Sequence, residues 1–233
     1  MAYEARGCAG SRHCVILGVG IMTRAPSSGG KTRLAAHLSE DRLRTLRAAL
    51  LADTLQTVSA VPDADRVVFF TPADGGAEIR LLSAAPLPLV AQAGADLGAR
   101  MRAALEHLLQ ARSCEAAILV GTDMPLLTAE HINEARDILD TFRGVVLGPT
   151  DDGGYYLIGM RAVRAELFQG VEWGTASVLA DTLSVAHRIG LEARLMRAGY
   201  DVDTIEDLRK LERDLRKAPS DLAPRLRAWC SDR

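Results

Sequence analysis

The 233-residue sequence lacks an excess of positive charge: 28 Lys and Arg stand against 30 Asp and Glu, a formal net charge of −2. Binding nucleic acid or an anionic membrane surface through general electrostatics calls for a basic excess, so both classes are set aside. No apolar run approaches the ~20 residues of a membrane span. The nearest thing to the core of an export signal, residues 15–22, leads directly into a glycine-rich loop with chemistry of its own, which argues against a cleaved leader. The four cysteines, Cys8, Cys14, Cys114 and Cys230, show no CxxC spacing and no paired framework. Zinc and thioredoxin-type chemistry therefore have no support, and reduced thiols in a cytoplasmic protein are expected. His13, His37, His107, His131 and His187 have no ligand spacing either. Internal repeats and low-complexity segments are absent. What is there, 48% hydrophobic and 25% charged residues, excludes a largely disordered chain, and the length suits one well-cored domain.

Residues 1–13 read as a flexible polar tail, residues 14–217 as a single domain, and residues 218–233 as a C-terminal extension. Short β-type apolar runs occupy residues 15–22, 66–71, 87–91, 116–120, 144–147, 155–160 and 192–196. Helical spacing falls at 31–38, 41–60, 76–82, 97–110, 176–187 and 205–216, with a further helix after Thr128, a residue suited to capping it. Strands alternating with helices, the strands apolar throughout, imply an α/β fold: a mostly parallel sheet covered on both faces. Such sheets carry their sites in loops beyond the carboxyl ends of the strands, and every unusual motif here falls in such a place.

Ser27-Ser28-Gly29-Gly30-Lys31-Thr32-Arg33 is the first of these motifs. Gly29 and Gly30 let backbone N–H groups approach an anion, a helix start at Lys31 adds partial positive charge, and Lys31 and Arg33 add full charges. The spacing is not that of a Walker A loop, because Ala25 stands where its first glycine would be. Next comes Gln92, able to read a nucleobase edge, followed by Gly94, Asp96 and Gly98; Asp96 serves equally as a helix cap. Gly121-Thr122-Asp123-Met124-Pro125 places a carboxylate at the sheet edge, where one or two acids plus phosphate oxygens hold Mg²⁺; a simple turn before proline is the competing reading. In the fourth motif, Asp152, Gly153, Gly154 and Tyr155 form a turn that could also touch substrate. In Asp201-Val202-Asp203-Thr204, residues two apart face one way in an extended segment, so both carboxylates can meet one metal, although Asp203 or Thr204 also suits an N-cap. Trp173, ahead of a helix, is a candidate pocket wall or a structural residue.

Taken together in this order, the motifs resemble a family of small GT-A-like bacterial proteins described as glycosyltransferases. The matching residues are Arg24-Ala25-Pro26, Lys31 through Leu34, Asp53-Thr54, Gln92 through Met101, Gly121 through Pro125, Leu147-Gly148-Pro149, Asp152 through Gly159, Trp173, and Asp201 through Thr204 with Asp207-Leu208. The likeness spans about residues 14–212. It implies the nucleotide-diphospho-sugar transferase fold, with nucleotide and a divalent cation, Mg²⁺ or Mn²⁺, bound at the sheet's carboxyl edge. More distantly, the chain is similar to 2-phospholactate guanylyltransferases and molybdenum-cofactor nucleotidyltransferases. One departure is a first loop one residue shorter than the common version.

The resemblance implies a transferase working on a nucleotide, NTP or NDP-sugar, and a small-molecule acceptor. In nucleotidyl transfer, a phosphorylated acceptor attacks the α-phosphate of an NTP and pyrophosphate leaves. Lys31 and Arg33 then stabilise phosphate charge, Asp123 and Asp203 hold the metal, and Gly29, Gly30, Thr32, Gln92, Gly94, Asp96, Gly98, Gly121 and Thr122 surround the nucleotide. In glycosyl transfer, an NDP-sugar is the donor and Asp152 positions or deprotonates the acceptor, beside Gly153, Gly154, Tyr155 and Trp173. Two cations on the first loop suit a triphosphate better and favour nucleotidyl transfer. A non-catalytic nucleotide-binding protein is the third reading.

Overall fold

The computed structural model describes residues 16–232. The expected tail at 1–13, which holds Cys8 and His13, lies outside the described residues, as does Cys14 at the start of the expected domain. Among the described residues, seven strands form one sheet: β1 (Leu17–Arg24), β2 (Ala64–Thr71), β3 (Leu89–Ala91), β4 (Ala116–Val120), β5 (Val145–Pro149), β6 (Tyr155–Met160) and β7 (Ala193–Leu195). Their order is β3-β2-β1-β4-β6-β5-β7. All neighbours pair in parallel except β6, which runs antiparallel to both β4 and β5. The expected mostly parallel α/β sheet is therefore what forms.

Alternation along the central strands feeds two apolar layers. Ala116, Ile118 and Val120 of β4 point into the cluster that also holds Leu17, Val19 and Ile21 of β1. Ala117 and Leu119 point to the opposite face, against Leu105 and Leu108. On that face β1 carries Gly18 and Gly20, and a Cβ at Gly20 would collide with Leu119 and Phe69. Those glycines let side chains from neighbouring elements lie across the strand.

The helices are α1 (Glu40–Ser59), α2 (Gly76–Leu82), α3 (Leu97–Glu106), α4 (Ala129–Thr141), α5 (Val178–Arg188), α6 (Ile205–Lys217) and α7 (Pro224–Ser231). None of the helices among the described residues is long and apolar enough to cross a membrane. A third apolar cluster joins Leu43, Leu46 and Leu50 of α1 to Leu208 and Leu211 of α6 and to Leu226 and Trp229 of α7. Asp53, buried on α1, accepts from the N–H groups of Arg225 (3.1 Å) and Leu226 (3.0 Å), so a carboxylate from another helix caps α7.

Three expectations from periodicity need correction. The helix expected over 31–38 is absent: only a single 3₁₀ turn, Leu34–Ala36, forms there, and α1 begins at Glu40 behind the Ser39 cap. The backbone explains it, since Gly29, Gly30 and Lys31 all have positive φ (82°, 115° and 56°), outside the right-handed helical region. Helix α3 gives way at His107 to a π turn through Ala111. Helix α5 starts at Val178, because Ala176 packs directly on Gly153 and the Leu179 N–H donates to the Gly153 carbonyl at 2.8 Å.

Candidate active site

A cleft of about 490 Å³ opens at the carboxyl edge of the sheet, over the ends of β1, β2 and β4 and the start of β6. Its first wall is the loop after β1, which is held from both sides. The Ser27 N–H and hydroxyl donate to one Glu78 oxygen (3.1 and 2.6 Å). From α1, Arg47 donates Nε to the Pro26 carbonyl (2.7 Å) and Nη1 to the Gly30 carbonyl (3.1 Å), and pairs with Glu40. A Cβ at Gly29 would meet nothing within 4 Å, so the loop's rim is open.

Just past that rim, Lys31 turns inward. Its side chain is only 5% exposed, and Nζ donates to Oδ1 of Asp123 (2.5 Å) and of Asp203 (3.1 Å). Burial acts to lower the Lys31 pKa, but the two carboxylates outweigh it and hold the group above its ordinary value. The Val202 N–H donates to the Asp123 carbonyl at 3.1 Å, tying the segment before α6 to the loop after β4. Val202 is fully buried in the third cluster while Asp201 and Asp203 line the cleft, as the two-residue spacing predicts. Burial, then the charges of Asp123, Asp152 and Asp203, push the Asp201 carboxyl up to about 8, with Lys31 pulling the other way.

The capping alternative for Asp203 is answered by its neighbours. Thr204 caps α6, accepting from the Asp207 N–H at 3.2 Å, and Asp207 accepts in return from the Thr204 N–H at 2.7 Å. The Asp203 side chain is thus free to face Lys31. Among the described residues, no group of three or more His, Cys, Asp or Glu side chains is placed to hold a metal ion.

The other predicted site residues divide. Gly30, Gln92, Gly121, Thr122 and Tyr155 line the cleft with Gly29 and Lys31, whereas Thr32 and Arg33 lie on the exposed outer side of the loop. Arg33 makes no ion pair among the described residues, so the two-cation argument for a triphosphate retains only Lys31. Asp96 caps α3, accepting from the Ala99 N–H at 2.8 Å. Gly94 packs its backbone against Ala99 and Arg100, and Gly98 packs against the Trp173 indole. None of these four residues lines the cleft. Asp152 accepts from the Thr150 hydroxyl (2.6 Å) and the Gly154 N–H (3.0 Å), shaping the turn into β6. Gly153 gives way to Ala176, Gly154 sits beside Thr150, and burial pushes the Tyr155 phenol up.

Sequence reasoning missed Arg47. It follows Leu43 by four residues and precedes Leu50 by three, so a guanidinium stands on the buried stripe of α1, and that misfit was the available signal.

Residues 54–175 match a family model described as "Uncharacterized protein conserved in bacteria (DUF2064)". The chain belongs to this family. It is also 30% identical over 190 residues to the phosphoenolpyruvate guanylyltransferase of Sphaerobacter thermophilus, covering 79% of this chain and 87% of the relative. A crystal structure from Desulfovibrio desulfuricans G20, provisionally named a nucleotide-diphospho-sugar transferase, superposes with a TM-score of 0.82 at 28% identity, covering 92% of this chain and 96% of the other. The 4-diphosphocytidyl-2C-methyl-D-erythritol synthase of Anaerococcus prevotii shares the fold at 13% identity, with a TM-score of 0.60 over 88% of this chain and 100% of the other. This DUF2064 chain is thus a nucleotidyltransferase-like transferase with a nucleotide-diphospho-sugar transferase fold.

Proposed function

We propose that this chain moves a nucleoside monophosphate from a nucleoside triphosphate to a small phosphorylated acceptor, releasing pyrophosphate. The observation that supports this most directly is the Lys31 ammonium lodged between the Asp123 and Asp203 carboxylates, beside the open Gly29-Gly30 rim. Two hard anionic oxygens already gather around one cation there, and their field contributes to raising Asp201. That donor set would suit Mg²⁺ or Mn²⁺, with Asp123 and Asp203 as the residues that would hold it. When bound, such an ion supplies charge neutralisation on the triphosphate and polarisation of the α-phosphate.

The chain's own groups then have distinct tasks. The Gly29-Gly30 rim offers backbone to the phosphates, and Arg47 and Glu78 keep it from collapsing. Lys31 stabilises the charge that grows on pyrophosphate as the bond from the α-phosphorus to the bridging oxygen breaks. An acceptor phosphate oxygen forms the new bond to that phosphorus; being already anionic, it needs no protein base. Glycosyl transfer would need a base for an acceptor hydroxyl. Asp152, expected for that role, has one carboxylate oxygen committed to Thr150 and Gly154, and it lies off the cleft lining.

Pyrophosphate release tests the reading, with each of the four NTPs, Mg²⁺, and phosphorylated acceptors starting from phosphoenolpyruvate, the compound in the relative's name. Acceptor-dependent release abolished by Asp123→Asn is expected. Stabilisation by NDP-sugars with no pyrophosphate from any NTP would overturn it in favour of glycosyl transfer.

A further inference from the structure

We propose that Gln92 selects the base of the bound nucleotide, acting only as a hydrogen-bond acceptor, and that this favours guanine. The inference rests on the nucleotidyl-transfer reading, which brings a nucleoside triphosphate into the cleft. Gln92 follows the last residue of β3, and its backbone N–H donates to the Phe70 carbonyl at 2.8 Å. Its Nε2 donates to two further carbonyls, those of Thr23 and Phe69, each at 3.0 Å. Only the NH₂ end of an amide can serve two carbonyls, so the chemistry settles which way the side chain is turned. Both amide hydrogens are consumed by the ends of β1 and β2. Oε1 is what remains, on a half-buried residue that lines the cleft.

Strand order says which end of the nucleotide meets it. Lys31 and Asp123, from the loops after β1 and β4, mark the phosphate end. Strands β2 and β3 lie on the opposite side of β1 from β4, so the cleft beyond β1 runs over Thr71 toward Gln92. Leu97, 44% exposed at the first turn of α3, and Met101 one turn on supply apolar surface there for the face of a ring.

A free glutamine amide reads adenine with both its oxygen and its NH₂. Here the NH₂ is spent. The pairing edges of adenine and cytosine set a ring-nitrogen acceptor beside the amino donor, and Gln92 has no donor left for it. Uracil offers one N–H flanked by two carbonyl oxygens that crowd Oε1. Guanine alone presents N1–H and N2–H₂ side by side, two donors for one oxygen with two lone pairs.

Calorimetric titration of the whole protein with Mg²⁺ and GTP, ITP, 1-methyl-GTP, ATP, CTP or UTP tests this. GTP should bind tightest. ITP, which lacks the 2-amino group, should lose roughly 3–10-fold, the worth of one hydrogen bond, and 1-methyl-GTP at least as much. In Gln92→Leu the NTPs should converge, GTP falling to the level of ATP. The analogue series needs no variant, so it decides the matter even if the leucine protein unfolds. Wild-type protein that binds GTP, ITP and ATP within threefold overturns the role of Gln92 while leaving nucleotidyl transfer standing, as does a leucine variant that keeps its preference for GTP. Failure of every triphosphate to bind overturns the nucleotidyl-transfer reading and this one with it.

Discussion

Replacing Arg47 with alanine should loosen the loop that carries Lys31 while leaving the protein folded. The guanidinium side chain is 9% exposed and holds the Pro26 and Gly30 carbonyls while paired with Glu40. Charge-assisted bonds of this kind are worth about 1.5–3 kcal/mol each when the acceptor is left unpaired, but Gly30 is exposed and water can replace its donor. The net cost to the fold should be about 1–2 kcal/mol, or roughly 2–8 °C in Tm at this chain length. Ligand affinity should suffer more. Five residues, Pro26 to Gly30, lose their clamp, and refixing a fully freed residue costs roughly 1 kcal/mol or more. Ser27 remains tied to Glu78, so about half that freedom is gained, and the nucleotide must offset about 2–3 kcal/mol, or roughly 30–150-fold in Kd. Calorimetry with a Mg²⁺–triphosphate measures it, and Arg47→Lys, which cannot reproduce the fork, should fall between. An alanine variant with the expected Tm loss but a Kd within threefold of wild type would refute the view that Arg47 preorganises the phosphate loop.

Asp203→Ser keeps α6 capped by Thr204 and Asp207 but takes one of two carboxylates from the buried Lys31 ammonium, so it should cost about 1–3 kcal/mol and leave the protein folded. Mg²⁺-dependent turnover should collapse, with the Mg²⁺ titration of any residual activity moved upward; wild-type turnover with an unchanged Mg²⁺ curve would remove Asp203 from the metal site. Asp53→Ala strips the acceptor from two N–H groups of α7 and should cost about 2 kcal/mol with nucleotide affinity unchanged, a loss that thermal melts detect. Burial raises the Asp53 pKa above its ordinary 3.8 despite the N–H groups of Leu226 and Arg225, so the fold favours the protonated carboxyl more than the unfolded chain does. That contribution is full below 3.8 and fades as pH rises through the folded value, so the stability gap between wild type and Asp53→Asn should shift against wild type as pH climbs; a gap constant from pH 3.5 to 7 contradicts it. Gly98→Ala places a methyl group into the Trp173 indole and should destabilise by about 1–3 kcal/mol, whereas a melting point equal to wild type would show that Trp173 moves freely.

Much of the architecture is written in local pattern. The runs at 116–120 and 155–160 coincide with β4 and β6, and the spacing at 76–82 with α2, because continuous or periodic burial leaves a mark on neighbouring residues. The two-residue spacing of Asp201 and Asp203 likewise predicted their shared face, with Val202 turned into the core. The alternating strands and helices were enough to place the motifs at one sheet edge.

Which of those polar residues meet was decided only by tertiary structure. Lys31, Asp123 and Asp203 are far apart in the chain, and nothing local distinguishes an aspartate that faces a lysine from one that caps a helix. Asp96 and Asp203 both stand at a helix start, yet Asp96 caps α3 while Thr204 relieves Asp203 of that duty. Gly98 and Gly153 were read as openings toward ligand, but they admit Trp173 and Ala176 instead, since a missing Cβ makes room for whichever neighbour the fold brings. Positive φ at Lys31 cancelled a helix that residue spacing favoured. Periodicity records whether a side chain is buried, and so it specified the sheet and its two faces. The partner of a buried charge or amide depends on the path of distant segments, and so Lys31, Arg47 and Gln92 acquired their places only when the chain closed around them.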